Sequence, residues 1–468
     1  MLNLVDSCGM RLCDGLSRRD WLKIGSIGLG GLSLPALLAS QAKADRSSQG
    51  ASFGKAKSVI IFGLVGGPPQ HETFDPKPDA PVEVRGQFGV IPSKTPGFQV
   101  GELLPRIASL SDKFAVLRAI VTGDNAHSSS GYQMLTGVPH IPLNQESAIP
   151  KPPNDSPSLG GLVRAVRSRP GELPSAVTLP EHIWNDGNFP WPGQDAGFLG
   201  KAHNPWLIHC DPAAADFSIP GLALPADFPA LRMDSRRSLL AQMNEQLDLL
   251  ARSPSPQGYS IHAQKAADLL TASAARNAFD INLEPASVRD RYGRSRFAQS
   301  ILLARRLVEA GVSLVQVNWT RIKDQLNQGG WDTHVKHNEA LKTLLMPIAD
   351  QCFSALLEDL EQRGLLESTL VVWFGEFGRT PKFNANAGRD HWGRCFSLAL
   401  AGGGIRGGVI HGRSDKQAAE PVDGLVHPKD LIATVFHCLG YAPDTELHDG
   451  QGRPFPLTRG RVIEEILL

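Results

Sequence analysis

The sequence lacks a surplus of charge of either sign. Lysine and arginine together number 47, and aspartate and glutamate together also number 47. Without a basic field the chain has no means of attracting nucleic acid or an anionic membrane surface, so nucleic acid is not an expected partner. With 41% hydrophobic and 20% charged residues in 468 positions, it can still build a sizeable core as one large domain with insertions or as two domains.

Cysteine is scarce, and no Cys-x-x-Cys pair occurs among the 6 cysteines. Two of them, Cys8 and Cys13, lie close to the N-terminus. Widely spaced cysteines are compatible with one or two disulfides in an oxidising compartment, and equally with isolated buried thiols. The remaining four, for which both alternatives stay open, are Cys210, Cys352, Cys395 and Cys438. No internal repeat is visible.

A long hydrophobic run is also missing from the N-terminal segment. Its apolar stretch, residues 24–38, is interrupted by glycines and Pro35 and is shorter than the roughly 20 residues that span a bilayer. Ser17-Arg18-Arg19, followed by Leu22 and Lys23, resembles a twin-arginine export signal. Residues 1–44 are therefore predicted to be a cleaved signal peptide read by the twin-arginine translocase, and residues 45–57 a linker. The prediction is a periplasmic or secreted protein without a permanent membrane span.

The rest of the chain predicts an α/β fold. "SVIIFGLVGG" is a continuous apolar run that suits a buried parallel strand, and "SLVQVNW", "STLVVWFG" and "FSLALAGGG" alternate with helical segments up to "HPKDLIATVFHCLG". This alternation indicates a mostly parallel central sheet flanked by helices, within residues 58–468. Residues 138–235 are rich in proline and predict a loop-rich cap insertion facing substrate, while residues 236–310 predict helices.

Acidic and histidine residues follow several of these strands. Asp332 and His334 come after "SLVQVNW", Glu376 comes directly after "TLVVWF", and Asp390 and His391 precede "FSLAL". Because ligands bind at the carboxyl edge of such sheets, these side chains are predicted to converge there. Imidazole nitrogen and carboxylate oxygen are ligands of divalent metals, zinc above all, with manganese or calcium as alternatives. Taken singly, each is more often a helix cap, a turn residue or an ion-pair partner.

Two arginines and several aromatic residues have weaker signals. Arg379 in "GRTPK" and Arg389 are candidates for binding an oxyanion of the substrate through bidentate contacts, and surface ion pairing is the alternative. The aromatic residues of the predicted cap could stack on a sugar ring or form a small second core. They are His182, Trp184, Trp191, Phe198 and Trp206.

The chain also resembles a known family over about residues 57–468. The motifs that carry the resemblance are "GGPPQHETFDPKP", "HSSSGYQMLTG", "RDRYGRSRFAQSILLARRLVEAGV", "GGWDTH", "FGEFGRTPK" and "GRDHWGRCFSLALAGGGIRGG". They are similar to the exported bacterial family labelled domain of unknown function 1501, whose members are placed among the sulfatase-like proteins of the alkaline phosphatase superfamily. The resemblance implies an alkaline-phosphatase-like fold that binds divalent metal.

The resemblance also implies roles for residues near the first two strands. Glu72 or Asp75 would be the first acidic metal ligand, and the nucleophile would be Ser128, Ser129 or Ser130 at the start of a helix. The helix dipole would assist such a serine, although a plain N-cap is the alternative. The neighbouring His127 is a candidate metal ligand or base.

The sequence departs from the superfamily pattern in three places. The first strand ends in "GLVGGPP" without an acid, Phe377 follows Glu376 where a histidine is expected, and no cysteine begins a formylglycine motif. The predicted function is an exported metal-dependent hydrolase of phosphate or sulfate esters, acting without formylglycine on a small-molecule or polysaccharide ester. The alternative is a degenerate, non-catalytic member that binds glycans or a protein partner at the cell surface.

Overall fold

A computed structural model describes residues 50–167, 173–184, 189–219 and 277–468. The predicted signal peptide, most of the predicted linker, the helices predicted before residue 277 and parts of the predicted cap lie outside the described residues. Gly54–Leu468 form one compact unit.

Among the described residues, eight strands form the central sheet. They are β1 (Ser58–Gly63), β2 (Phe114–Ile120), β3 (Ala176–Leu179), β4 (Trp206–Leu207), β5 (Leu314–Asn318), β6 (Thr369–Phe374), β7 (Phe396–Ala401) and β8 (Ile410–His411). Their order across the sheet is β8-β2-β7-β6-β1-β5-β3-β4. Every neighbouring pair is parallel except those of β7, which runs antiparallel to both β2 and β6. The predicted mostly parallel sheet is confirmed.

Helices cover both faces of this sheet. They are α1 (Val82–Arg85), α2 (Pro105–Ser109), α3 (His127–Thr136), α4 (Leu159–Val166), α5 (Ala286–Tyr292), α6 (Arg296–Glu309), α7 (His337–Ala340), α8 (Met346–Gln362) and α9 (Pro428–Leu439). A π-helical turn, Leu341–Leu345, joins α7 to α8. Within the described residues, the combined stretch His337–Gln362 is long and apolar enough for a membrane crossing by length and composition alone, and 67% of its most apolar window is buried in the fold.

The central position of β1 explains its unbroken apolar sequence. Ile60 and Phe62 pack into the core on the side of α6 and α8, whereas Val59 and Ile61 pack into the core on the side of α3 and α9. Because successive side chains of a strand point to opposite faces, a strand covered on both faces needs apolar residues at every position. Each such large side chain contributes about 1.5–3 kcal/mol when fully buried.

The predicted cap segment contributes more regular structure than its composition suggests. β3 and β4 both come from it and extend the central sheet next to β5, and α4 packs on the same sheet. The part of the chain that the structure describes also has four two-stranded ribbons outside the central sheet. They pair Val90–Pro92 with Gln99–Gly101, Gly378–Arg379 with His391–Trp392, Arg413–Ser414 with Pro421–Asp423, and Glu446–His448 with Pro454–Pro456.

The four cysteines outside the predicted signal peptide are free thiols in the structure. Burial raises the pKa of Cys210, Cys395 and Cys438 to about 12 and that of Cys352 well above its ordinary value. A thiol with so high a pKa is a poor nucleophile and a poor metal ligand at neutral pH, so these residues act as small apolar side chains.

Candidate metal centre

The carboxyl edge of the sheet gathers residues from four strands. β1, β2, β5 and β6 run in the same direction, so the loops that follow them leave at one edge. His127 is the first residue of α3, which follows β2, while Asp332 and His334 lie in the loop after β5. His391 is positioned by its pairing with Arg379 in a two-stranded ribbon just beyond β6.

Three imidazoles converge on the carboxylate of Asp332. His127 Nε2 lies 3.2 Å from Asp332 Oδ2, and the Nε2 atoms of His334 and His391 each lie 3.0 Å from Asp332 Oδ1. The Nε2 atoms of His334 and His391 are only 2.9 Å apart. Ligand atoms of His127, Asp332 and His391 all lie within 4.8 Å of one another, which is close enough for them to share one cation.

The outer nitrogen of each imidazole is held by an oxygen acceptor. The pairs are His127 Nδ1 with Glu376 Oε1 at 2.8 Å, His334 Nδ1 with Asp390 Oδ1 at 2.7 Å, and His391 Nδ1 with the Asn125 carbonyl oxygen at 2.6 Å. Since carboxylate and carbonyl oxygens accept, each Nδ1 donates. When such an imidazole is neutral, its Nε2 has no proton and its lone pair is directed toward Asp332. Metal-binding histidines have the same arrangement, with one nitrogen donating to an oxygen and the other free to bind the metal.

Burial and the neighbouring carboxylates shift the pKa values of the three imidazoles in different directions. Burial lowers the pKa of His127, but hydrogen bonds to Asp332 and Glu376 outweigh it and raise that pKa to about 9. The hydrogen bond to Asp332 also raises the pKa of His334, whereas burial lowers the pKa of His391 to about 4. Because Asp332 and Glu376 stabilise positive charge at His127, the donor set fits a divalent cation.

Asp332 is held as the anion of the cluster. Burial alone would raise its pKa, but Arg379 and the three histidines together hold that pKa well below its ordinary value. Asp332 therefore stays ionised throughout the physiological pH range. A permanently ionised carboxylate surrounded by imidazole nitrogens is a strong site for a divalent cation.

Glu376 and Asp390 contact the outer Nδ1 nitrogens of His127 and His334, on the side of each ring away from Asp332. Glu376 is fully buried, and its Oε1 also accepts a hydrogen bond of 2.8 Å from the backbone N–H of Gly66. Gly66 has φ +114°, and a Cβ there would lie 2.5 Å from the backbone nitrogen of Asp332. An acid at this tip of β1 would collide with the Asp332 loop, which accounts for the glycines in "GLVGGPP".

Replacing Glu376 by glutamine is expected to weaken metal binding by about 10–100-fold, a typical cost of removing a partner that orients a metal-bound histidine. The glutamine amide keeps the shape but removes the charge that holds the His127 Nδ1 proton. Titration with a competing chelator measures the dissociation constant. Glu367→Gln, on the turn Leu366–Ser368 outside this cluster, is the control. Equal affinity in Glu376→Gln and the native protein would show that Glu376 does not orient His127.

Arg379 and Arg389, the predicted substrate-binding arginines, are both completely buried. Arg379 donates to Asp332 Oδ1 at 2.7 Å and to the carbonyl oxygens of Gly66, Gly67 and Trp331. These carbonyls lie in loops, outside the hydrogen bonding of the sheet. Because a buried carbonyl needs a hydrogen-bond donor, the guanidinium of Arg379 supplies it. The structure therefore places both guanidinium groups inside the loop network and not on a surface that substrate reaches.

Glu72 and Asp75 do not join the histidine cluster. Glu72 Oε1 pairs with Arg389 Nη2 at 2.7 Å; burial would raise its pKa, but Arg389 and then His337 lower it. Asp75 pairs with Lys77 at 2.9 Å and accepts a hydrogen bond from Ser414. Both carboxylates thus neutralise cations inside the fold.

The three consecutive serines are fully buried and already hydrogen-bonded. Ser128 Oγ donates to the carbonyl of Gln145 at 2.7 Å, and Ser129 Oγ donates to Asp124 Oδ1 at 2.9 Å. Ser130 Oγ donates to the carbonyl of Glu376 at 2.6 Å. None of these three serines lines the cavity beside the cluster, whereas the preceding residue, His127, does.

A cavity of about 320 Å³ opens beside the cluster. Its lining includes His127, Asp332, His334, Trp184 and Arg321. Ring contacts fix the imidazoles: Trp191 stacks on His127 with centroids 5.8 Å apart, and Phe377 stacks on His391 at 4.4 Å. Phe377, which follows Glu376 where the resemblance implied a histidine, thus packs against His391.

Sequence reasoning missed three participants of this centre: the Asn125 carbonyl, the Gly66 N–H and the ring of Trp191. The first two are backbone groups, which have no signature in residue type. The only available signals were the glycine pair after β1 and the position of Asn125 two residues before His127.

Fold and site together define an α/β protein with a histidine–carboxylate centre at the carboxyl edge of its sheet. The chain belongs to the family described as protein of unknown function (DUF1501), whose model matches residues 56–467. No curated protein matches it.

Several solved structures resemble the chain at low identity. The PsFucS1 sulfatase from Pseudoalteromonas sp. has a TM-score of 0.38 and 14% identity, with 86% of this chain and 70% of that chain covered. The phosphonate monoester hydrolase SpPMH from Silicibacter pomeroyi has a TM-score of 0.37 and 12% identity, with 87% and 76% covered. The lipoteichoic acid synthase LtaP from Listeria monocytogenes has a TM-score of 0.36 and 10% identity, with 84% and 74% covered.

Proposed function

We propose that this protein is an exported, metal-dependent hydrolase of phosphate or sulfate esters. The observation that carries the proposal is the convergence of three Nε2 atoms on Asp332, with each outer nitrogen held by an oxygen, beside a cavity of about 320 Å³. Such a centre is preorganised for a cation, and the cavity gives a substrate access to it.

His127, His334, His391 and Asp332 would hold the metal, and Glu376, Asp390 and Asn125 would orient the imidazoles. A bound divalent metal polarises a phosphoryl or sulfuryl oxygen and lowers the pKa of water. Three imidazole ligands favour zinc over manganese and calcium, both of which prefer oxygen ligands. His127 also begins α3, so the positive end of that helix dipole faces the centre and favours an anionic ester.

Water, not a serine hydroxyl, is the nucleophile in this proposal. Each of the three hydroxyls, those of Ser128, Ser129 and Ser130, donates a buried hydrogen bond. Turning a hydroxyl toward the cavity would leave its acceptor without a donor. Hydrolysis by direct attack of water needs no side-chain nucleophile and no formylglycine.

The alternative function is a non-catalytic protein that binds metal and presents the cavity to a glycan or a protein partner at the cell surface. The burial of the three serines and of Arg379 and Arg389 favours it, because these are the nucleophile and substrate-binding residues that the family resemblance and the sequence pattern predict. This alternative shares the metal centre with the hydrolase and differs from it only in turnover.

Export belongs to the proposal through the twin-arginine motif at Ser17 to Lys23. A periplasmic or secreted location would follow, with residues 1–44 removed. Recovery of the protein from the periplasmic fraction with its N-terminus after Ala44 would support this part of the proposal, and full-length protein confined to the cytoplasm would contradict it.

The hydrolase is tested with the processed protein and p-nitrophenyl phosphate, p-nitrophenyl sulfate and p-nitrophenyl phenylphosphonate. At least one of these esters is expected to release nitrophenol. The rate of release should fall about 100-fold or more when a chelator is added, and it should recover when zinc or manganese is restored. His391→Ala should behave like the chelated protein, whereas His448→Ala, an exposed histidine on a distant ribbon, should behave like the native protein. Stoichiometric metal without turnover of any ester would favour the non-catalytic alternative.

A further inference from the structure

His334 is the most exposed imidazole of the metal centre. Its side chain is 38% exposed, against 14% for those of His127 and His391. Phe377 contacts the rings of both His127 and His391. Among the described residues, the ring of His334 contacts one other ring, that of His391, with centroids 4.6 Å apart. The position of His334 therefore depends mainly on its polar contacts.

Asp390, the partner of His334 Nδ1, is itself 51% exposed. An exposed carboxylate keeps several rotamers unless a further contact holds it. Asn384 supplies that contact: its Nδ2 donates to Asp390 Oδ1 at 2.9 Å, the same oxygen that lies 2.7 Å from His334 Nδ1. The Nδ2 of Asn384 also donates to the carbonyl oxygen of His334 at 3.0 Å. One amide group thus holds both the backbone of His334 and the carboxylate behind its ring.

The loop that carries Asn384 lies directly against the chain at His334. Asn384 Oδ1 accepts hydrogen bonds of 2.9 Å from the backbone N–H groups of Asn386 and Gly388, which closes the loop on itself. The N–H of Lys336 donates to the Asn386 carbonyl at 3.0 Å. A Cβ on Gly388 would collide with the carbonyl of His334, so this close approach requires glycine. The amide of Asn384 therefore uses its oxygen within the loop and its nitrogen at the metal centre.

We propose that Asn384 is a positioning residue of the metal centre. It acts through Asp390 and through the backbone of His334 to direct His334 Nε2 toward the cation, and it supplies no ligand of its own. Partners that orient a metal-bound histidine affect metal affinity although they do not touch the metal. The inference rests on the proposed function for the presence of the metal, but it does not require turnover of an ester.

The variant Asn384→Asp separates the two halves of the amide. Aspartate keeps the oxygen that closes the loop and replaces the donor by a second acceptor, which repels the Asp390 carboxylate and the His334 carbonyl. Zinc affinity of the processed protein, measured by competition with a chelator, is expected to fall about tenfold or more. Asn386→Asp is the matched control. It adds the same charge at an exposed position of the same loop and should bind zinc at least as tightly as the native protein.

Two further measurements separate positioning from a general effect on the fold. The visible absorption of bound cobalt(II) depends on the number and geometry of its ligands, so the spectrum of cobalt-loaded Asn384→Asp should differ from that of the native protein, and the spectrum of Asn386→Asp should not. In a His334→Ala background there is no imidazole for Asn384 to position. Adding Asn384→Asp to that background should change zinc affinity by less than about twofold.

Native zinc affinity in Asn384→Asp would overturn the inference and leave the metal centre intact. A tenfold loss that persists in the His334→Ala background would also overturn it, because Asn384 would then act elsewhere in the fold. The proposed function fails separately. If the native protein binds zinc with the expected dependence on Asn384 but hydrolyses no ester, the hydrolase falls and the role of Asn384 stands. A native protein that binds neither zinc nor cobalt overturns both.

Discussion

The Asp332→Asn variant is expected to contain almost no metal, with an affinity reduced more than about 100-fold. Removing a charged ligand lowers metal affinity more than removing a residue that only orients a ligand. Asparagine retains the shape of the side chain and an oxygen for Arg379, but it lacks the negative charge on which the three imidazoles converge. Elemental analysis of purified protein, together with chelator competition, measures the change.

The control for Asp332→Asn is Asp290→Asn. Asp290 also pairs with an arginine, Arg294, at 2.6 Å, but it is exposed and lies on α5, away from the metal centre. Asp290→Asn should keep the native metal content. If Asp332→Asn bound as much metal as the native protein, the cluster around Asp332 would be a hydrogen-bonded network without a cation.

Replacing Arg389 by methionine is expected to lower the free energy of unfolding by about 3–5 kcal/mol, the usual cost of breaking a buried ion pair. Arg389 binds Glu72 through Nε and Nη2, donates to the carbonyls of Thr380, Pro381 and Val84, and lies over the ring of Phe383 at 4.0 Å. Methionine fills part of the space and leaves a carboxylate and three carbonyls with fewer donors. Urea unfolding, followed by fluorescence and circular dichroism, measures the loss.

A second variant separates the ion pair from the packing. Adding Glu72→Gln to Arg389→Met removes the uncompensated carboxylate, so the double variant should be more stable than Arg389→Met alone. The exposed Arg453→Met should change stability by no more than about 0.5 kcal/mol. An Arg389→Met protein as stable as the native one would mean that His337, 3.3 Å from Glu72, suffices to hold the carboxylate.

The apolar runs of β1, β5, β6 and β7 were sufficient to predict the central strands and their order along the chain. β3 escaped prediction because its four residues, "AVTL", lie in a proline-rich segment and form a strand only through pairing with β5. Such a short strand has no period to recognise, and its existence depends on a partner strand more than a hundred residues later.

Residue type and position next to a strand were the basis for predicting Asp332, His334 and His391 as ligands, and the structure brings these three side chains together. Residue type and position were not enough to separate ligands from the residues behind them, because Glu376 and Asp390 have the same donor chemistry as Asp332. Which carboxylate faces the imidazole Nε2 atoms depends on side-chain positions that differ by a few ångströms. Likewise, the burial of Arg379 and Arg389 depends on carbonyls that only the folded loops bring together.

The cluster around Asp332 joins residues that lie far apart in the chain. His127 follows β2, His334 follows β5, and His391 lies beyond β6. An unfolded chain therefore presents no comparable site, and any cation bound there selects the native state and stabilises it by mass action. In the proposed hydrolase, folding and metal acquisition would be a single event. The bound ion would then be decided by the metals present where folding takes place, and with the proposed export of a folded chain that place is the compartment the chain leaves.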